Sequence, residues 1–578
     1  MCVLMALGHT TTLGFMTDWL DPGYQQVILR GVLKAADERD YKVICYVTSS
    51  PVGSMLDVTA THKLIAPGCV DGMVIVAPSL GWGTEADRNR IVAPMQSIPM
   101  CYVALEVAEK SAVSSDNQTG MTALVRHLVR DHGARHLAFV RGPEFNSDSE
   151  ERLSTFRRVL AEADLTVNEK LILPGDFGIL SGTKAVEVLL GERQVSIASV
   201  DAIVAANDGM AMGVLEGLEA RGIRVPQQVA VTGFDDCDDS QYLRVPLTTV
   251  RQPMFEQGKL AVRALTETMR TGERQRIVLP TELVVRRSCG CLSGLGRVAF
   301  QIAGAGSRGI SFDSAFIERR QGMLAELLRV GRGTFGMLGS GWESKLALSL
   351  VEQLKGRSPD AFRSTFDEML QRTIDAGSEP GTFHEIVTVL WRNFVQCMGA
   401  DADLRTTLES ILDEARLTTA AAVQRVQGAN HIRDRTASRE FASACTRLCR
   451  STSLEHLGRL LHDCGSAMGI SHLDLALYPN GTATESAMRV LSYADRQSRL
   501  VSAAVRASEF PRLVMAERPG IPGLTVTSLE LEAEVLGVVV MNLGAGAGDH
   551  FEPLRSSLSA AVKGALVREQ LRRLGGHC

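Results

Sequence analysis

No stretch of about 18 uninterrupted apolar residues occurs in the chain, so a membrane-spanning helix is not expected. No charge of one sign dominates: 61 basic side chains stand against 66 acidic ones, a net charge of −5. Global attraction to phosphate backbones is therefore excluded, and nucleic-acid binding would need a local basic patch, of which the sequence shows none. The chain also lacks a Walker motif, a nucleophile elbow and a cyclase-type output signature, which argues against an enzyme. At the start, Met1 to Leu7 is apolar but has no basic flank, and His9-Thr10-Thr11-Thr12 cuts it short of a secretory leader. The twelve cysteines, scattered from Cys2 to Cys578, form no disulfide framework and read as reduced, buried thiols of a cytoplasmic protein.

What is present is globular. Hydrophobic residues make up 45% and charged residues 22% of the 578 positions, enough for several cores at about 150 residues per domain. From Leu13 to Arg287 short β-branched runs alternate with amphipathic stretches, the pattern of βαβ units and parallel sheets. The strands expected are Lys42 to Val47, Gly72 to Val76, His136 to Val140, Ala202 to Ala206 and Val229 to Phe234. Tyr24 to Ala36 reads as a helix whose stripe is Tyr24, Ile28, Val32 and Ala35. Glycines cluster between Gly294 and Gly309, which suits a linker. Beyond it, Ser314 to Val330, Trp342 to Leu354, Phe362 to Ala376 and Leu404 to Val426 read as helices. From Ser438 onward, helices bracket strands at His472 to Tyr478 and Ala533 to Leu543, and a helix from Pro553 to Leu574 closes the chain. The division expected is 1–292, 293–437 and 438–578.

The most informative segment is Asp201-Ala202-Ile203-Val204-Ala205-Ala206-Asn207-Asp208-Gly209, a buried strand that delivers polar side chains where a helix begins. A second strand, Val229 to Phe234, ends in Asp235-Asp236. Ligands gather outside the carboxyl ends of strands in open α/β sheets, so both strands face one crevice. With Asp116-Asn117-Gln118-Thr119-Gly120, His132-Gly133-Ala134-Arg135-His136, Glu151-Arg152-Leu153, Pro246-Leu247-Thr248-Thr249-Val250 and Gln252, these motifs make Leu13 to Cys291 resemble the sensor core of the LacI/GalR repressors. The resemblance implies a two-lobed, periplasmic-binding-protein-like α/β fold. Only about a dozen residues precede the first strand, too few for that family's helix-turn-helix, so direct DNA binding is not expected. The last quarter, with Leu531 to Leu543 followed by Phe551-Glu552-Pro553-Leu554, resembles the end of an α+β GAF domain.

By the resemblance, Arg152 reaches into the cleft, Asn207 bonds ligand oxygens, and Asp235 accepts from hydroxyls or ring nitrogens. Asp18, Trp19 and Tyr24 follow the first strand and line the facing lobe. A guanidinium fork opposite a carboxylate and an amide suits a sugar or nucleobase-like ligand. Each residue also has a structural reading: Asn207 and Asp208 as helix caps, Arg152 as a solvated helix residue, Trp19 as core. The family has a glycine shortly after the arginine, whereas this chain reads Arg152-Leu153-Ser154-Thr155-Phe156-Arg157.

Metal ligation is not expected. Cys289-Gly290-Cys291 has no second Cys/His pair near it in sequence, and Cys445, Cys449, His456 and Cys464 read as helical thiols with a neighbouring histidine. His384-Glu385 reads as structural, since no ATP-binding segment follows it. No cofactor is expected. The functional expectation is a cytoplasmic, homodimeric regulator that binds a small molecule between two lobes and passes closure to an output partner. The alternatives are a transcriptional regulator acting on DNA directly or through a partner, and a signalling enzyme with a degenerate or missing output domain.

Overall fold

Short apolar runs buried along their whole length make parallel sheets covered on both faces, because a helix returns the chain between neighbouring strands. In the computed structural model the first such sheet is built from β1 (Thr12–Thr17), β2 (Lys42–Val47), β3 (Gly72–Val76), β4 (Met100–Val103) and β5 (Ser111–Ser115). The second is built from β6 (Leu137–Val140), β7 (Ile172–Leu173), β8 (Ala202–Ala205) and β9 (Ala230–Thr232), in the order β7-β6-β8-β9. The structure describes residues 10–18, 20, 23–48, 60–76, 85–107, 109–291, 311–332, 335–398, 401–479, 482–494, 496–518, 520–531, 534–543 and 550–575.

Two compact units result, one of Met1–Cys291 with Arg439–Cys578 and the other of Leu292–Ser438. In the first, the two parallel sheets carry separate cores, centred on residues such as Phe15, Ile44 and Val74 in one lobe and Phe139, Phe156 and Val204 in the other. Helices α1 (Tyr24–Asp37) and α2 (Glu85–Val92) belong to the first lobe. Helices α3 (Asn117–Arg126), α4 (Ser147–Glu162), α5 (Ile179–Glu187) and α6 (Asp208–Glu219) belong to the second.

The chain crosses between the lobes three times. It leaves the first after β5, returns from β10 (Thr249–Arg251) into helix α7 (Met254–Thr271), and leaves again between β11 (Arg276–Leu279), which pairs with β5, and β12 (Glu282–Val284), which pairs with β10. Short crossings between two separate cores are segments where a hinge can bend. Helix α1 buries Ile28, Val32 and Ala35 of the expected stripe, together with Ala36, with Tyr24 of that stripe half-buried and lining a cavity. It meets α7 so closely that a Cβ on Gly31 or Gly258 would strike the opposite helix's backbone.

The outer edge of β2 is taken by a distant segment. Strand β16 (Gly523–Leu531) adds in parallel, with Gly523 opposite Val43 and Val526 opposite Tyr46. It continues antiparallel through β17 (Glu534–Leu543), β13 (Ile470–Leu477), β14 (Ser486–Ala494) and β15 (Gln497–Arg506). Helices Leu454–Cys464 and Phe551–Gly575 bury Leu457, Leu461, Leu554, Leu558 and Val562 in the same core as the first lobe. Segments 1–291 and 439–578 thus share one eleven-stranded sheet.

The other unit is helical: Phe312–Val330, Trp342–Leu354, Ala361–Asp375, Thr382–Val395, and the part of Ala402–Cys449 up to Ser438. Its core is aromatic, with the Phe335 ring 4.9 Å from both Trp342 and Phe383. Among the described residues no helix is long and apolar enough to cross a membrane.

Candidate functional site

Strand ends on both lobes open onto one cavity of about 1790 Å³. Asp18 follows β1, Tyr24 opens α1, Arg152 projects from α4, Asn207 follows β8 and Asp235 follows β9, and all five line it. Trp19 lies outside the described residues.

Arg152 is 2% exposed and organises the second lobe's wall. Its Nε donates to Asn117 Oδ1 at 2.8 Å and its Nη1 to the Ala206 carbonyl at 2.8 Å. Nη2 reaches Asp148 Oδ2 at 3.5 Å, and Nη1 stands 3.9 Å from Asp235 Oδ1. The guanidinium carbon lies 3.9 Å from the centre of the Phe234 ring. Arg152 is therefore a buried, stacked cation and not a solvated helix residue. Asn117 completes the cluster by donating to Asp148 and Glu151, both at 2.9 Å.

Asn207 uses its side chain in both of the ways open to it. Its Oδ1 accepts from the Met210 backbone N–H at 2.9 Å, which caps α6, and its Nδ2 donates to the Phe177 carbonyl at 3.0 Å. It still lines the cavity, so any ligand contact shares an amide that is already engaged. Asp208 turns away into the core: Oδ1 accepts from the Thr249 hydroxyl at 2.5 Å and Oδ2 from the Cys237 backbone N–H at 2.9 Å.

Asp235 and Asp236 occupy strained backbone, with φ of +136° and +60°. Non-glycine residues hold such angles only where their surroundings dictate it, and they cluster at ligand sites. Here Asp235 receives the Gln252 amide at 2.6 Å, while Asp236 receives Arg251 at 2.7 Å and Arg286 at 2.6 Å. Burial pushes the Asp235 carboxyl well above the usual carboxylate range, against the pull of Arg152. Burial does the same to Asp208, helped by repulsion from Asp235, and to Asp148, where Arg152 opposes it.

Across the cavity, Asp18 accepts from Thr17 and Gln25 at 3.4 and 3.3 Å. Two buried polar atoms on the lining residues, Tyr24 Oη and Gln252 Oε1, have no hydrogen-bond partner among the described residues. The lining carries Asp18, Asp148, Asp176, Asp235, Asp236, Asp238, Asp239 and Glu256 against Arg30, Arg152, Arg251 and Arg286. Two of those arginines are spent on Asp236. The remaining balance suits a ligand rich in hydrogen-bond donors more than an anion.

Residues 125–289 match the family described as periplasmic binding protein-like domain. The chain contains a periplasmic-binding-protein-like domain. Over 284 residues it is 29% identical to the HTH-type transcriptional repressor PurR of Photobacterium profundum, covering 48% of this chain and 81% of that protein. Over 284 residues it is 28% identical to the HTH-type transcriptional repressor CytR of Escherichia coli (strain K12), covering 48% and 79%. Among solved structures, a transcriptional regulator CelR-cellobiose complex is 28% identical, with a TM-score of 0.43, over 49% of this chain and 87% of that one.

Several residues that shape the crevice of the periplasmic-binding-protein-like domain escaped the sequence reading. Asp148 carried a usable signal, since it stands four residues before Arg152 on one helix face, the spacing of an ion pair. Phe177 carried none. Leu524, Thr525 and Asn542 also line the cavity, and nothing in sequence connects them with residues some 500 positions earlier.

Proposed function

We propose that this chain is a ligand-responsive regulator whose two-lobed domain binds a small, neutral, hydroxyl- or ring-nitrogen-bearing metabolite of the sugar or nucleobase type. One observation carries the reading. Arg152, Asp235, Tyr24 and Gln252 converge on a single cavity at the strand ends of both lobes, with the Tyr24 hydroxyl and the Gln252 carbonyl oxygen buried there without partners among the described residues. Buried polar atoms are costly unless they are paired, and a ligand with matching groups pairs them. A ligand that touches both lobes stabilises the closed state only by the difference between its contacts in the two states.

The relatives' names support a regulatory role and not a catalytic one, since PurR and CytR are named as transcriptional repressors. The chain acts in the cytoplasm as a homodimer without catalysing a reaction. The strand pairing of β16 with β2 supports a route by which lobe movement reaches the C-terminal sheet, whose five antiparallel strands and flanking helices fit the GAF-like reading of 438–578. From there the signal passes to an output partner.

The test is a thermal-shift screen of the full chain over sugars, nucleosides and purines. A ligand at 100 times its Kd adds about 2.7 kcal/mol to the part that it occupies. The shift should shrink in Tyr24→Phe and vanish in Asp235→Asn. A hit that survives both substitutions undiminished would place the ligand elsewhere. The repressor names favour a second reading, control of transcription through DNA. Gel shifts at low salt test it, because phosphate contacts strengthen steeply as salt falls; no shift at low salt sinks it for this chain.

A further inference from the structure

Sequence spacing offers Cys289 and Cys291 no second pair of ligands, but the fold supplies one. His127 and His132 lie 157 to 164 residues earlier in the chain, and their ring nitrogens meet the two sulfurs. We infer that His127, His132, Cys289 and Cys291 form a tetrahedral site for a zinc-type divalent cation at the end of the second lobe opposite the ligand crevice.

The geometry is that of a coordination shell. His127 Nε2 lies 3.2 Å from His132 Nε2, 3.5 Å from Cys289 Sγ and 3.6 Å from Cys291 Sγ. His132 Nε2 lies 3.3 Å from Cys291 Sγ, and all four donor atoms fall within 4.8 Å of one another. Tetrahedral bonds of about 2.0 Å to nitrogen and about 2.3 Å to sulfur would set ligand atoms about 3.3 Å apart for N/N and about 3.5 Å apart for N/S. The one N/N and three N/S separations given above match these values, and the remaining pairs, within 4.8 Å, need only a small inward movement to close on an ion.

Hydrogen bonding alone does not account for the cluster. His127 Nδ1 is 2.7 Å from Asp131 Oδ2, which places the ring proton on Nδ1 and leaves a single lone pair on Nε2. Three groups converge on that lone pair, which can accept from one. A cation at their centre uses all four donors, and Asp131 is then the carboxylate that orients a liganding histidine. Thr248 supports Cys289 likewise, its hydroxyl 3.2 Å from the sulfur.

Local backbone explains how the residues come together. Five residues apart on an α-helix, His127 and His132 would project about 140° from each other. The chain instead takes a π-helical turn at His127–Asp131, a rare form that concentrates at functional sites. Gly290, at φ +100°, makes the turn between the cysteines in a backbone conformation that favours glycine, and it lies beside the His132 ring. Cys289, Cys291 and His127 are buried, while His132 is exposed beside an open hollow of about 260 Å³ that gives an ion a way in. Soft thiolates with imidazoles select zinc over magnesium or calcium. Helix α3 would then be held at both ends, by Asn117 on Arg152 at the crevice and by the ion at His127.

The full chain, expressed with added zinc and purified without chelator, should carry about one zinc per chain. After zinc removal, Co²⁺ added to the full chain should give the intense visible bands of a tetrahedral site and thiolate charge-transfer absorption. Cys289→Ser with Cys291→Ser should abolish the charge-transfer band. His132→Ala, on an exposed residue that folding tolerates, should weaken Co²⁺ binding at least about tenfold. Absence of stoichiometric zinc together with octahedral, weakly absorbing Co²⁺ in a natively folded chain overturns the assignment. So does Co²⁺ absorption that persists in the double cysteine variant, or a Cys289–Cys291 disulfide in chain isolated under reducing conditions.

Discussion

Thr61 and Ser528, 467 residues apart in the chain, are joined twice in a buried contact: the Ser528 backbone N–H donates to Thr61 Oγ1 at 3.0 Å, and the two hydroxyls lie 3.2 Å apart. Ser528 Oγ donates onward to Glu530 at 2.6 Å, so the Thr61 hydroxyl is the donor between the pair. Thr61→Val keeps the shape and removes both bonds, stranding a buried N–H. The expected loss is about 1–3 kcal/mol, and less for Ser528→Ala, which leaves that N–H paired. Chemical-denaturation midpoints of the full chain measure it; equal midpoints for Thr61→Val and the unmodified chain would show that this contact does not hold the C-terminal sheet to the first lobe.

Arg152 supports the second lobe as well as facing the cavity. Arg152→Met fits its volume but leaves Asp148 and Asp235 buried without a cation, and frees the Asn117 amide oxygen and the Ala206 carbonyl. A loss of about 3–5 kcal/mol is expected. Arg152→Lys keeps the charge but not the planar fork, and its stability should fall between those of the unmodified chain and the Met variant. A Met variant as stable as the Lys variant would show that the charge contributes nothing.

The alternating sheets and helices were readable because burial on both faces of a parallel strand leaves a continuous apolar run. Gly72 to Val76 and Lys42 to Val47 begin and end as their composition indicates. The helix expected at Leu404 to Val426 runs instead from Ala402 to Cys449: no proline follows Val426, and Gly428, two residues on, stays within the helix and does not cap it. Strand ends showed Asn207 and Asp235 to be neighbours, since topology brings carboxyl ends together. The tie of β16 to β2 and the meeting of Cys289 with His127 depend on long-range packing, and no local periodicity encodes either.

Asp208 makes stability depend on pH in a direction opposite to that of an ordinary paired carboxylate. Burial, then repulsion from Asp235, raises its folded pKa above the unfolded value of about 3.9. Between that value and neutrality the folded chain holds a proton that the unfolded chain has released, so this contribution falls as pH rises, by about 1.4 kcal/mol per unit of separation. Asp208→Asn cannot titrate, and its amide can still serve Thr249 and the Cys237 N–H. Relative to the unmodified chain, the variant should gain stability on going from pH 4.5 to pH 7.5, roughly the window that this shift opens. Denaturation midpoints at the two pH values test this, and a difference that does not change with pH excludes Asp208 as the titrating group.

Arg489 binds two acids that differ in one respect. Asp474, with a side chain 0% exposed, accepts from Arg489 at 2.6 Å and from Arg518 at 3.2 Å; Glu517, 37% exposed, accepts from the same Arg489 at 2.8 Å. Near-equal distances would suggest equal worth, but solvent screens Glu517 and leaves Asp474 to neutralise two guanidinium groups by itself. Asp474→Asn is therefore expected to cost about 3–5 kcal/mol, and Glu517→Gln about 0–1 kcal/mol. Salt separates them further: raising ionic strength should erase the Glu517 effect and leave that of Asp474, because buried pairs are screened much less. Comparable losses in the two variants, equally sensitive to salt, would mean that Asp474 is as hydrated as its exposed counterpart and that the C-terminal core is open to water at this arginine.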